Sequence, residues 1–329
     1  MDIEKEKVLK MVKVAKMYYQ MDYSQNDIAK QLGVSRPSVS RLLHEAKEFG
    51  IVKIEVIDPT EGKLRLIDSL KERYKLKECI IVNTPMCEDQ VIKEYIGKKA
   101  AEYLSSIVKD GDIIGATWGT TLYQVAKNIQ SRKVVGTKVV QLTGGISHSE
   151  TNTYASEILH YLGSAFDTSP HFLPLPAVVD HLVVKQAIVA DRHIRSVLDL
   201  GEKANIAIFT VGGFSENSTL VEAGYFTSED LKVLKRKKAV GDICSRFFDI
   251  NGDICSEDLY ERTIGIDLES LKKKEASILV AGGSEKIASI MGALNGGYAN
   301  VLITDQYTAE LIVSDELFME KVNEPIENS

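Results

Sequence analysis

SQNDIAKQLGVSRPSVSRLLHEAK, residues 24–47, reads as two short helices around a glycine turn. Ser24 is a suitable N-cap, because its hydroxyl can accept a hydrogen bond from an unpaired amide of the first turn. Asp27, three residues on, places a carboxylate where the helix dipole favours it. Ile28, Ala29 and Leu32 recur at helical spacing, and Gly33 stops the helix. Ser35 caps the next helix, and Pro37 falls in its first turn, where a missing amide proton costs little. Val39, Leu42, Leu43 and Ala46 make the apolar face of this second helix. Small Ala29 lets the two helices cross closely, and Gly33 permits the tight turn between them. Together with Val34, these positions predict a DNA-binding helix-turn-helix. Arg36, Ser38, Ser40, Arg41 and His44 fall on the opposite side, where hydroxyls and guanidinium groups suit base edges and phosphates. With Ser24, Gln25, Ser35 and Pro37 at the helix starts, they are the residues assigned to DNA.

Before this hairpin, Val8, Met11, Val12, Ala15, Tyr18 and Tyr19 predict a helix from about Glu4 to Met21 that packs behind it. After it, IVKIEVI at 51–57 alternates and is β-branched, which predicts a strand. Asp58 to Gly62 reads as a turn-rich linker and Lys63 to Tyr74 as a helix. The domain assignment is therefore 1–57 for DNA binding and 58–329 for the remainder.

The 329 residues are 44% hydrophobic and 26% charged, the balance of a globular protein with two or three domains. No apolar run is long enough to span a bilayer, and the charged start MDIEKEKVLK lacks a signal-peptide core, so a cytoplasmic protein without membrane contact is expected. The net charge of −7 divides unevenly. Residues 1–57 hold ten Lys+Arg against eight Asp+Glu, or +2, and the rest carries −9. An acidic bulk repels phosphate, so contact with DNA falls to one small end of the molecule. Cys79, Cys87, Cys244 and Cys255 are scattered, and no His/Cys cluster has zinc spacing, so no metal is expected.

From Cys79 onward, short apolar strands alternate with helices: CIIVN, GDIIGAT, KVVQLTGG, ANIAIFTVGG, SILVAGG and NVLITD. This predicts a doubly wound, mainly parallel α/β sheet covered on both faces. FFDINGDICS, 247–256, reads as a β-hairpin around Asn251-Gly252. Ligands of such sheets bind beyond the carboxyl ends of strands. Four of those ends are rich in Gly, Thr and Ser: Thr117–Thr121, Thr143–Ser147, Gly212-Gly213 and Gly282–Lys286. Glycines let amides approach an anion and a helix N-terminus adds its dipole. Lys286 gives a point charge and Arg246 a planar fork. An anionic small ligand is expected. Trp118 either stacks on it or fills the core. G-x-G-x-x-G and the P-loop pattern are both missing, which removes the main arguments for a nucleotide, and no cofactor is expected.

The motifs occur in a telling order. S-x-x-D-I-A-x-x-L-x-V-S-R-P-x-V-S-R-L-L at Ser24–Leu43 is followed by W-G-T-T at Trp118–Thr121 and V-V-Q-L-x-G-G at Val139–Gly145. Then come L-P-L-P at Leu173–Pro176, V-G-D-I-C-S-R-F-F-D at Val240–Asp249, and V-A-G-G-x-x-K-x-x-x-I-x-G-A-L-x-G-G-Y-A-N-V-L-I-T-D-x-x-T-A at Val280–Ala309. Over nearly its whole length the chain resembles the SorC family of bacterial transcriptional regulators. The resemblance implies an N-terminal DNA-binding domain joined to a sugar-phosphate effector domain whose fold is similar to glucosamine-6-phosphate deaminase. It also implies a homodimer or homotetramer that represses a sugar or (deoxy)nucleoside catabolic operon from a pseudo-palindromic operator. A phosphorylated sugar, deoxyribose 5-phosphate first, would release it. Carried over by motif, Gly119, Thr120 and Thr121 with Arg246 and Lys286 hold the effector phosphate. Gln141, Thr143 and Gly145 line the sugar, and Asp242 joins the set. The resemblance further implies a lysine where this chain has Thr143. A lysine amine could form an imine with an open-chain aldose phosphate, whereas threonine cannot.

Two other classes stay open at this level. A sugar-phosphate isomerase or deaminase with an added DNA-binding domain would use the same cradle, although Val211–Ser215 lacks the acid and histidine of a catalytic loop. A DNA-binding protein whose second domain is only an oligomerisation scaffold would show no effector response.

Overall fold

A computed structural model describes residues 2–52, 59–146, 153–215, 221 and 224–323. The chain divides into two compact units, 1–59 and 60–329.

Among its described residues the first unit has three helices, α1 (Asp2–Tyr19), α2 (Gln25–Leu32) and α3 (Arg36–Glu48). Ser24 Oγ accepts from the Asp27 amide at 3.2 Å and donates to its carboxylate at 2.6 Å, so one pair closes the start of α2. At the other end Gly33 takes φ 66° and its amide returns to the Ala29 carbonyl, a left-handed helix stop. Ser35 caps α3, with Pro37 in its first turn. Val14, Met17, Ile28, Ala29, Val39 and Leu43 form one core cluster, and Met11, Ala15 and Ala46 a second. The buried side of α1 is rotated from the expected one. Val14 and Met17 are inside, while Val8 and Tyr19 are exposed. The helix also stops at Tyr19, because the Gln20 and Met21 amides both fold back to the Lys16 carbonyl. Val34, part of the expected motif, is exposed on the turn.

The strand expected at 51–57 falls mostly outside the described residues. Ile51 and Val52 are a bend packed against Met11, Ala15 and Ala46. The linker expected at 58–62 is instead helical from Pro59, since proline is well suited to a first helical position: α4 spans Pro59–Tyr74.

The second unit alternates as expected: β1 (Glu78–Val82), α5 (Asp89–Ile107), β2 (Ile113–Ala116), α6 (Thr120–Asn128), β3 (Lys138–Gln141), α7 (Ala155–Ala165), α8 (Leu182–Ala190), α9 (Arg192–Lys203) and β4 (Ile206–Phe209). After β4 come β5 (Gly212–Gly213), α10 (Ser228–Arg236), β6 (Gly241–Ile243), β7 (Arg246–Phe248), α11 (Glu257–Arg262), α12 (Leu268–Leu271), β8 (Ala276–Val280), α13 (Ile287–Asn295), β9 (Val301–Asp305) and α14 (Gln306–Asn323). Six strands pair in the order β1-β9-β8-β4-β2-β3, all parallel. Two apolar clusters cover the two faces, so β4, β8 and β9 are buried at every position. The chain leaves β2 for β3 on one side and returns to β4 on the other. That reversal opens a crevice beyond the carboxyl ends of β2 and β4.

Three short strands, β5-β6-β7, form a separate antiparallel sheet. It includes the β6–β7 hairpin, which the sequence pattern does not announce. The hairpin expected around Asn251-Gly252 is present as a turn closed by one bridge, Phe248 to Ile254. No helix among the described residues is long and apolar enough to cross a membrane.

Two glycines with positive φ separate conformational strain from steric clash. Nothing lies within 4 Å of a Cβ built at Gly33, whereas one at Gly252 (φ 87°) would sit 2.3 Å from the Gly296 Cα. Gly33→Ala is therefore expected to cost only the left-handed penalty, about 1 kcal/mol. Gly252→Ala must also push backbone from backbone, and thermal unfolding should show a clearly larger loss.

Candidate functional site

The crevice at the strand reversal holds a cavity of about 590 Å³, a volume suited to a small metabolite. Thr117–Thr121 reach it from β2, Thr143 from β3, Thr210–Ser215 from β4, Glu285 and Lys286 from the loop after β8, and Lys93 from α5. The small sheet closes it with Val240, Asp242, Cys244 and Ser245. Six of the nine expected effector residues thus lie together: Gly119, Thr120, Thr121, Thr143, Asp242 and Lys286.

The four glycine-rich strand ends prove unequal. Gly144 and Gly145 spend their amides on the Ile264 and Leu175 carbonyls. Gly283 gives its amide to Asp305 and Thr308. Gly212 makes room for a carboxylate, since a Cβ there would lie 2.1 Å from Asp242 Oδ1. At Gly119 (φ 126°) even the amide is taken, by the Thr153 carbonyl at 2.9 Å. The amides of Thr120 and Thr121, in the first turn of α6 at the cavity wall, have no carbonyl to meet inside the helix.

Three expected residues stand elsewhere. Arg246 is 1% exposed and each of its three nitrogens has a partner. Nε reaches the Ile266 carbonyl at 2.9 Å, Nη1 the Tyr260 carbonyl at 2.7 Å, and Nη2 Asp267 at 2.8 Å. The guanidinium also stacks 3.9 Å over the Tyr260 ring. Hairpin register is the reason: Asp242 pairs with Phe247, and Ile243 with Arg246. Opposite partners share a face and neighbours alternate, so Arg246 projects away from the side on which Asp242 meets the cavity. Gln141 joins two backbones, donating to the Thr143 carbonyl at 2.7 Å and accepting from the Leu173 amide at 3.0 Å. Gly145 bridges to Pro176. Neither lines the cavity.

Trp118 does line it, and its indole N–H donates to the Gly144 carbonyl at 2.8 Å, which fixes the ring in the wall. Ser147 lies outside the described residues. Sequence reading missed Lys93, Thr210 and Ser245. Thr210 had a visible signal, a hydroxyl directly after the apolar run IAIF. Lys93, in the second turn of α5 and paired with Asp89, had none.

Two cavity groups are displaced from their ordinary ionisation. Burial pushes Asp242 up to about 6, against the pull of the Ser245 amide and of Lys286. Burial and the neighbouring Lys93 push Lys286 down to about 8, against Asp89 and Asp242. Near neutral pH Lys286 therefore keeps most of its charge, with Lys93 and the Asp89 and Asp242 carboxylates as neighbours. That suits a ligand with an anionic end and hydroxyls that can donate to Asp242. Among the described residues no group of three or more His, Cys, Asp or Glu could hold a metal.

In the first unit Ser24, Ser35, Arg36, Pro37, Ser40, Arg41 and His44 are exposed, and Gln25 and Ser38 half-exposed. His44 stands 3.5 Å from Glu48.

The Sugar-bind family, a sugar-binding domain, matches residues 58–314. The deoxyribonucleoside regulator of Bacillus subtilis (strain 168) is 51% identical over 315 residues, covering 96% of this chain and all of that protein. The sorbitol operon regulator of Klebsiella pneumoniae is 31% identical over 92% of this chain and 97% of its own. The crystal structure of that full-length regulator, SorC, superposes with a TM-score of 0.70 at 29% identity, covering 93% of this chain and 98% of that one. A Streptococcus pneumoniae transcriptional regulator superposes at 0.74 with 28% identity, covering 79% and 99%. With relatives of this kind along nearly its full length, and an α/β unit built round a cavity, the chain belongs to the SorC family of transcriptional regulators.

Proposed function

We propose that this protein represses a deoxynucleoside or sugar catabolic operon and leaves its operator when a phosphorylated sugar, deoxyribose 5-phosphate first, fills the cavity. The observation that carries the reading is the pairing of Lys93 and Lys286 with the N-terminus of α6 in one crevice. The phosphate sits against Thr120 and Thr121 with both lysines, and the sugar lies toward Thr143 and Asp242. The identity of the sugar draws support from the relative named a deoxyribonucleoside regulator. Threonine at 143 has no amine to condense with an aldehyde, so the effector is held by hydrogen bonds and charge alone. The second helix of the helix-turn-helix enters the major groove, with Arg36, Ser38, Ser40, Arg41 and His44 toward the bases and phosphates.

Release follows from linkage: an effector that prefers the arrangement unable to hold DNA lowers operator affinity by the ratio of its two affinities. The protein acts in the cytoplasm as a homodimer or homotetramer on a pseudo-palindromic site, and performs no turnover of the sugar.

Calorimetric titration of the full chain with deoxyribose 5-phosphate and ribose 5-phosphate tests this directly. Selective binding of the first is expected; binding of neither, or conversion of either, would sink the proposal. Lys286→Ala should weaken sugar-phosphate binding about ten- to hundredfold, the worth of a charged hydrogen bond, with operator affinity kept. The pH profile has a definite sign. Lys286 loses its proton as pH rises through about 8, so affinity should fall between neutral and mildly alkaline pH, and Lys286→Ala should flatten that fall. Arg41→Ala should weaken operator binding by about tenfold and reduce its salt dependence, with sugar-phosphate affinity unchanged.

A further inference from the structure

Helix α8, LVVKQAIVA, has one charged and one amide side chain among nine residues, yet none of its residues is buried. A helix apolar around most of its circumference ordinarily belongs in an interior. Leu182, Lys185, Ile188 and Val189 are half-buried, which leaves the apolar Val183, Val184, Ala187 and Ala190 exposed, with Gln186 exposed at their edge. Val183 is 68% exposed and Val184 42%. These four recur at steps of one, three and three, so they form one continuous outer strip. Single exposed apolar residues are normal on any surface, but a continuous strip marks a contact.

The neighbouring helix indicates what covers it. On α9, Arg192, Arg195, Asp199 and Glu202 recur at steps of three, four and three and are all exposed, so they share one side. The two cations come first and the two anions second. Arg195 uses one N–H on the Val189 carbonyl, which ties this stripe to the end of α8. A partner of single charge sign would match only half of the stripe. A second copy related by a two-fold axis matches all of it, because antiparallel α9 helices set the basic half of one against the acidic half of the other.

We propose that α8 and α9 form a two-fold contact between two copies of this chain. The Val183, Val184, Ala187 and Ala190 strip is its dry centre, and the α9 stripe is its charged rim. This assigns a surface to the self-association named above and does not depend on the effector.

Sedimentation velocity of the full chain over the micromolar range tests it. Val184→Glu places a carboxylate in the centre of the contact. It should weaken self-association about a hundredfold or more, taking a dimer to monomer or a tetramer to dimer, with the unfolding temperature kept because the position is exposed. Arg195→Glu and Asp199→Arg should each weaken association about tenfold, and the two together should restore it. Restoration by charge exchange belongs to a self-complementary contact and not to general destabilisation. A monomeric wild-type chain at the highest concentration would overturn both the contact and the self-association reading. An oligomeric wild type whose mass is unmoved by all three changes would overturn the assignment of this surface alone.

Discussion

A parallel sheet covered on both faces leaves its polar chemistry only the ends of its strands. β4, β8 and β9 bury every residue, and their backbone groups are used up in the ladder. The cavity lies where that ladder stops and the chain reverses between β2 and β4. The same constraint makes the few buried polar groups there expensive to leave unpaired. Asp305, at the end of β9, is fully buried and accepts from the Gly283 and Thr308 amides and from the Thr308 hydroxyl. Gly282 must be glycine for that carboxylate to fit, since a Cβ would fall 2.4 Å from Oδ2.

The electrostatics of the cavity depend on which cations are held back from it. Arg246, with every described contact going to a carbonyl, a carboxylate or a ring, is a knot that fastens β7 to the chain around 260–267. Its charge is spent where it stands. Lys93 and Lys286 remain in the cavity wall, each beside a carboxylate rather than a set of carbonyls. They can therefore be recruited by a ligand at the cost of weakening one attraction, whereas Arg246 would have to leave several buried acceptors unpaired.

Much of this was legible in the residues, for identifiable reasons. The helix-turn-helix declares itself because caps, stop and apolar face are all local, and Ser24, Gly33, Ser35 and Pro37 occupy the positions their chemistry suggests. The parallel sheet declares itself through short apolar runs, and its site through the hydroxyls and glycines that follow them. What escaped is non-local. The direction of Arg246 is set by the register of a three-residue hairpin. Whether a strand-end glycine offers its amide to a ligand depends on a distant partner, as Gly144 shows with Ile264. The face of α1 escaped because Val8 and Tyr19 share the helical period with its true core residues, and only the packing of α3 decides between them.

β1 is the first strand of the second unit and β9 the last of its parallel sheet, yet the two lie side by side from Glu78↔Val301 to Val82↔Asp305. Beyond the last rung the Gln306 side chain continues the seam, accepting from the Thr84 amide and donating to its carbonyl. The unit is therefore zipped shut at its own entrance. One tooth of that zip is Asp305, whose carboxylate also clamps the loop that carries Lys286. Through Asp305 the loop that carries Lys286 is thus tied to Val82 on β1. Measured along the chain, the cavity loop and β1 are far apart; measured in hydrogen-bonded links, they are next-door neighbours.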